Sequence, residues 1–205
     1  FLLYTENMNY DAFAETFSES RKNHPWPELD FIIEEMKQKE YTSVLDIGCW
    51  NGRFLEEAAK RGFSPSEYLW TDNSSGMIGE ARKLHPSQRF EVIPMEEHRE
   101  DIWKYDAILF LASFHHLENV EQRKEVLHTI QKLLKPHGRV YMTNWNLRDQ
   151  VRYEKSHRWN GDFDIKIGEF TRYYHGFFLL ELEALFQESG WHIEKNEIFQ
   201  WGRNI

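Results

Sequence analysis

Apolar residues along this chain follow two spacings that take turns. Short, mostly apolar runs fall at 43–47, 67–71, 89–93, 105–111 and 138–144, with the length and composition of buried strands. Between and after them, apolar residues three and four apart predict helices at 53–61, 75–84, 121–134 and 178–189. Strand and helix in alternation predict a parallel sheet with helices on both faces. Two helical patterns precede it. Residues 9–22 place Tyr10, Phe13, Ala14 and Phe17 on one face, and Glu28–Lys39 resumes after the break at His24-Pro25-Trp26-Pro27. Beyond the fifth strand the alternation stops. Residues 145–176 read as an irregular, aromatic and basic insertion, expected to hang over the ligand edge of the sheet as a substrate-side cap. His192–Phe199 is strand-like, and a closing antiparallel strand is expected to begin there and to run past the end of the sequence given.

The first strand runs into Asp46-Ile47-Gly48-Cys49-Trp50-Asn51-Gly52, a glycine-bearing turn ahead of a helix that starts near Arg53. Such a turn lets backbone approach a ligand closely and aims helix N–H groups at its polar end. Asp72 stands twenty residues beyond Gly52, at the end of the next apolar run. A carboxylate there suits both ribose hydroxyls of an adenosine cofactor; the alternative is a cap for the helix from Ser75. Asp46 also has two readings, ordering the loop through backbone N–H groups or touching the ligand. Asn73 reads as support for its turn. Ligands of parallel sheets bind beyond the C-terminal strand ends. Asp46–Gly52, Asp72, Met95–Glu97, Ala112–His116 and Asn144–Asn146 all fall there.

Composition narrows the setting. The 205 residues suit a single domain, 1–205, with 1–40 as a helical lid and 145–176 as the cap. One cysteine excludes an internal disulfide, which points to a reducing, cytoplasmic location. No apolar run approaches the roughly 20 residues of a membrane span. Phe1-Leu2-Leu3-Tyr4 is too short for a signal peptide. The ten histidines show no spacing with cysteines that suits a metal, so none is expected. A formal charge of −9 argues against broad, unaided nucleic-acid binding. Arg148, Arg152, Lys155 and Arg158 cluster, although composition alone favours a solvated face for them.

In order, the Asp46–Gly52 loop, Thr71-Asp72-Asn73-Ser74, Tyr105-Asp106-Ala107-Ile108-Leu109-Phe110 and Leu133-Leu134-Lys135-Pro136-His137-Gly138-Arg139 resemble class I S-adenosylmethionine (SAM) dependent methyltransferases. The resemblance implies a Rossmann-like α/β fold, a seven-stranded, mostly parallel sheet with a reversed final hairpin, and SAM as cofactor. Tyr10–Arg21, Pro25-Trp26-Pro27, Phe114-His115-His116 and Arg172-Tyr173-Tyr174-His175-Gly176-Phe177 are similar to the tRNA wobble-uridine carboxymethyl methyltransferases. Those enzymes esterify a 5-carboxymethyl group on the anticodon wobble uridine and rely on a small zinc-binding activator subunit. The resemblance implies cofactor contacts from Arg21, Asp46, Gly48, Cys49, Trp50, Gly52, Asp72, Asn73, Met95, Glu96 and Leu111. It implies acceptor-side roles for His116, Arg172, Tyr173 and His175.

Three positions depart from the pattern. Trp50 occupies the middle glycine position of Gly-x-Gly-x-Gly. A positive φ would strain it, whereas a negative φ would let the indole swing outward or stack near the cofactor. His137 replaces a glycine after Lys-Pro, and Met95 stands where an acid meets the adenine amino group, a contact Glu96 or Glu97 would take over. A carboxylate acceptor, with a pKa near ~4, is ionised at neutral pH and needs no base; a phenol or amine needs a His or Glu base. Three functions follow: ester formation on a tRNA carboxylate or small-molecule acid, small-molecule O- or N-methylation, and a silent SAM-binding or partner-binding module, which Trp50 supports.

Overall fold

The computed structural model of the chain describes residues 26–100, 103–167 and 170–199, so the expected helix at 9–22 and Arg21 lie outside the described residues. Five parallel strands, β1 (Ser43–Ile47), β2 (Glu67–Asp72), β3 (Phe90–Val92), β4 (Tyr105–Leu111) and β5 (Leu134–Thr143), lie in the order β3-β2-β1-β4-β5. Helices α1 (Glu28–Gln38), α2 (Arg53–Lys60), α3 (Ser75–Leu84), α4 (Val120–Leu133) and α5 (Leu179–Glu188) flank them. Among the described residues no helix is long and apolar enough to cross a membrane.

Side-chain alternation assigns each strand residue to a layer. In β4, Ala107, Leu109 and Leu111 join one apolar cluster with Leu29 and Ile33 of α1, Phe54 of α2 and Ile78 of α3. Ile108 and Phe110 join the other with Leu127 and Ile130 of α4 and Leu182 and Leu185 of α5. Strands buried on both faces read as continuous apolar runs, as β1 and β4 do. The strand order reverses between β1 and β4, which opens a crevice at their C-terminal ends.

Several expectations change. The described residues hold five strands in the main sheet rather than seven. Of His192–Phe199, Phe199 alone takes a β-bridge among the described residues, while ahead of it Glu194 pairs with Arg139 of β5 and the Asn196 amide donates to the Leu179 carbonyl at 2.9 Å. Within the segment read as irregular, β6 (Asp162–Ile167) and β7 (Phe170–His175) form an antiparallel hairpin. Phe163, Ile165 and Tyr174 close on Leu147 as a third small core. Strand β5 also starts earlier than expected, straight from α4, with a register irregularity opposite Tyr105–Ala107. His137 sits inside that irregularity at φ 68, so the position does use glycine-like backbone.

Asp106 ties the N-terminal ends of three strands together. Its carboxylate accepts the N–H groups of Thr42 and Ser43 at 2.9 Å, the Ser43 hydroxyl at 2.9 Å and the Lys135 ammonium at 3.1 Å. Partial burial works to raise its pKa, but these donors win and hold it at about 2. The folded value lies below the unfolded one, so the stabilisation is present above about pH 4 and lost as pH falls through the folded value. Asp106→Asn is expected to cost ~1–2 kcal/mol at pH 7, after allowance for solvent screening. Thermal melts from pH 7 to 2 check this: the variant's acid limb should be flatter than that of the parent chain.

Candidate cofactor and acceptor site

The turn after β1 is shaped by β2. The Thr71 carbonyl accepts the N–H groups of Gly48 at 2.8 Å and Cys49 at 2.9 Å. The Thr71 hydroxyl donates to the Asp46 carbonyl at 3.3 Å and meets His98 Nε2 at 3.1 Å. Burial brings His98 down to about 4, so its imidazole is neutral. Gly48 has φ 79, and a Cβ there would lie 2.4 Å from that of Ser113. Only glycine meets both demands. The Ser113 hydroxyl donates to the Ile47 carbonyl at 2.6 Å, locking the turn after β4 onto the end of β1.

Trp50 takes φ 57, the strained alternative. A left-handed non-glycine residue costs roughly 1–2 kcal/mol. In return its N–H points at Asp72 Oδ2, 3.0 Å away, and its indole lies 6.1 Å from that of Trp26. Arg53 stacks on the Trp26 ring at 4.6 Å. Asp72 Oδ1 accepts the Ser74 N–H at 2.9 Å, while the Ser74 hydroxyl accepts from Met77 N. The cap of α3 is therefore Ser74, and Asp72 stitches the end of β2 to the glycine turn.

Asp46 is 2% exposed, and its carboxylate makes no hydrogen bond among the described residues; Oδ1 is buried without a partner. Thr71 and Asp72, not the Asp46 carboxylate, order the loop. Burial first, and the nearby Asp72 charge second, push the Asp46 carboxyl well above its usual range. Two carboxylates at adjacent strand ends, one lacking a donor, call for a cation and for hydroxyl donors. SAM offers both, a sulfonium and an ammonium beside a ribose, so the residues present fit it. Gly48, Trp50 and Gly52 all take positive φ, Gly52 lies against Phe90 and His85, and Cys49 packs below at 5% exposure. Leu111 ends β4 in the core, Asn73 and Glu96 are exposed, and Met95 is half-buried against the second apolar cluster.

The turn Phe114–His116 leads from this loop to the hairpin. His116 Nδ1 donates to the Tyr173 carbonyl at 3.0 Å, and burial lowers the ring to about 4, leaving Nε2 as an acceptor. Tyr174 stands at the centre of a ring cluster: stacked on Trp145 at 5.2 Å, edge-on to His116 at 4.5 Å and tilted against His115 at 5.2 Å. Arg172 lies 5.5 Å over the Tyr174 ring, and burial lowers it to about 10, still a cation at neutral pH. The Trp145 N–H donates to His115 Nδ1 at 3.2 Å, so His115 Nε2 carries the proton. That atom and the Asn144 amide are buried without partners among the described residues.

Register separates the four expected acceptor residues. Arg172, opposite Ile165, shares the face of Tyr174, whereas Tyr173 and His175 lie on the other face with Asp164 and Asp162. His175 is bound at Nδ1 by Asp162 at 2.7 Å and at Nε2 by Glu181 at 2.6 Å. Burial works to raise Glu181, but the His175 hydrogen bond and charge bring it below its usual range. The Tyr173 hydroxyl lies 2.7 Å from Asp162 Oδ1 and accepts from Arg123 at 3.1 Å. His116 and Arg172 thus converge, while Tyr173 and His175 brace the hairpin on α4 and α5. Ser113, Thr71, His98, Trp145 and Tyr174 were not singled out in the sequence; Ser113 and Trp145 lay inside the marked strand-end segments, Thr71 in the Thr71–Ser74 motif and Tyr174 in the Arg-Tyr-Tyr-His run, while His98 carried no signal.

Two outcomes follow from the loop. An acid whose folded pKa is raised weakens folding as pH climbs from its unfolded value, about 3.9, toward the folded one. Asp46→Asn removes that loss, so the ligand-free Tm at pH 8 should rise while calorimetry shows SAM affinity down at least about tenfold. Gly48→Ala should abolish measurable SAM binding and destabilise the chain by at least ~2 kcal/mol in urea melts.

Comparisons agree with this geometry. The methyltransferase domain family matches residues 12–196. Over 151 residues the chain is 27% identical to the mouse (Mus musculus) tRNA (carboxymethyluridine(34)-5-O)-methyltransferase ALKBH8, covering 72% of this chain and 21% of that protein. Over 125 residues it is 30% identical to the ubiquinone biosynthesis O-methyltransferase of Acinetobacter baylyi, covering 58% of this chain and 50% of the relative. The chain thus spans about a fifth to a half of the length of these relatives. Among solved structures, SAM-bound CalS10, an amino pentose methyltransferase of Micromonospora echinaspora, superposes with TM-score 0.70 at 17% identity, covering 98% and 97% of the two chains. A methyltransferase of Haloferax volcanii in complex with the Trm112 methyltransferase activator gives TM-score 0.67 at 19% identity, covering 91% of this chain and 76% of that one. The glycine turn, the paired strand-end aspartates and the family match lead to one conclusion: the chain belongs to the methyltransferase domain family, on a Rossmann-like fold.

Proposed function

We propose that this chain transfers the methyl group of SAM to a carboxylate, the 5-carboxymethyl group of a tRNA wobble uridine. The observation that carries the reading is the turn Ser113–His116. At one end Ser113 locks the cofactor loop; at the other His116 holds the hairpin that bears Arg172 and Tyr174. When bound, the cofactor supplies a methyl group on a sulfonium, ready for displacement by a nucleophile. Arg172 is placed to hold an anionic acceptor, and the half-buried Trp145, backed by the buried Tyr174, offers a flat ring to a pyrimidine. His116 Nε2 accepts a hydrogen bond from an N–H or O–H of the nucleoside, since the ionised carboxylate has none to give. The hairpin segment within 145–176 serves as the cap that excludes water.

The pKa values separate this from phenol methylation. A base at about 4 is poorly matched to a phenol near ~10, whereas a carboxylate near ~4 needs none. The name of the mouse relative supports the tRNA carboxylate, and the complex with Trm112 supports a small activator subunit for this chain too.

The test is a methylation assay with 5-carboxymethyluridine, as nucleoside and within an anticodon stem-loop, with and without an activator subunit. Mass spectrometry is expected to find the methyl ester. Arg172→Ala should lower kcat/KM at least about tenfold with SAM affinity unchanged. No ester under any of these conditions, with SAM bound, overturns the carboxylate reading.

A further inference from the structure

The hairpin has a second surface that the methyl-transfer pocket does not use. Most described lysines and arginines are held by a carboxylate or a backbone carbonyl, as in Lys60–Glu57, Arg61–Asp30, Lys124–Glu188 and Arg82 to the Phe90 carbonyl. Arg152, Lys155 and Lys166 are exposed and have neither among the described residues; Arg152 touches only the Tyr153 ring, at 4.5 Å. All three belong to the cap. The 3₁₀ segment Val151–Ser156 packs on β6, with Tyr153 against the small third core, and β6 carries Lys166 on an outward position.

Along the chain, between Lys155 and Lys166, stands Trp159, 89% exposed. Its turn is rigidly built. Asn160 and Gly161 take φ 59 and 85, and the Arg148 guanidinium fills the space where a Gly161 side chain would begin. Arg148 Nε also donates to the Gly176 carbonyl. Arg148 is thus a brace, and the Trp159 indole is held out in solvent by a turn that leaves it nothing to cover.

We infer that the outer surface of this cap is a docking surface for single-stranded RNA, with Trp159 as a base-stacking platform and Arg152, Lys155 and Lys166 as phosphate contacts. Cations without a carboxylate partner and an exposed ring on one segment of the chain supply what a single strand requires. The formal charge of −9 keeps a polyanion from binding indiscriminately elsewhere, so unpaired cations on one element set where it lands. The inference rests on the reading of an RNA-borne acceptor, since β7 also presents Arg172 and Tyr174 to the pocket.

Anisotropy titration of a labelled anticodon stem-loop RNA with the full chain, over a range of salt, tests it. The parent chain should bind with salt-dependent affinity. The triple variant Arg152→Glu, Lys155→Glu, Lys166→Glu should lose more than about tenfold, and its log–log salt slope should shrink by about 2, at roughly 0.7 per phosphate contact. Trp159→Ala should lose about tenfold, and Trp159→Phe should keep most of the affinity. In all of them SAM affinity and esterification of the free nucleoside should stay at parent levels, which also shows that the variants fold. Equal affinity and slope in the variants, or no salt-dependent binding by the parent chain, overturns the docking surface. Failure to esterify both the nucleoside and the stem-loop, with RNA binding and its loss as expected, overturns the carboxylate reading instead.

Discussion

A carboxylate buried without a hydrogen-bond donor is the constraint around which this molecule is arranged. Asp46 stands one residue from the end of the central strand and is 2% exposed, and Asp72 ends the next strand. Burying such a charge is expensive unless a cation or donors arrive. The fold could have supplied a lysine or a run of N–H groups. Instead the neighbouring N–H groups are taken: those of Gly48 and Cys49 by the Thr71 carbonyl, those of Trp50 and Ser74 by Asp72. What remains unmet is a demand that a cationic nucleoside meets.

Strand order turns that local demand into a working site. The crevice opens where the order reverses between β1 and β4, so the loop after β4 must pass beside the glycine turn. Ser113 makes that passage close enough to forbid a side chain at Gly48. Three residues later His116 reaches the hairpin, and the hairpin's two faces divide the labour. One face carries Arg172 and Tyr174, with Tyr174 buried in the small third core; the other, through Tyr173 and His175, fastens the hairpin to α4 and α5.

Most of the sheet could be read in the chain because a doubly covered parallel strand is an unbroken apolar run. Helix limits followed from 3.6-residue spacing; Ser75–Leu84 coincides with its expected bounds. The hairpin escaped because its alternation, Asp162-Phe163-Asp164-Ile165-Lys166-Ile167, lies in a segment whose arginines and tryptophans suggested an irregular loop. Its period of two was there to be seen. At the site, Asp72 and the glycines were legible from spacing. The contributions of Thr71, Ser113 and His98 were not, since they act through carbonyls and hydroxyls brought near by the sheet. Trp50 was legible as an anomaly, but its sign depended on φ, which spacing does not encode.

The central claim concerns the state of one carboxyl group, so its own titration is the direct measurement. Carbon-13 NMR of the Asp46 carboxyl, with Asp46→Asn for assignment, would follow it from pH 3 to 9 with and without SAM. The account predicts a pKa raised well above the ordinary aspartate range in the free chain, falling when the cationic cofactor binds. An ordinary pKa in the free chain, unmoved by SAM, would contradict it.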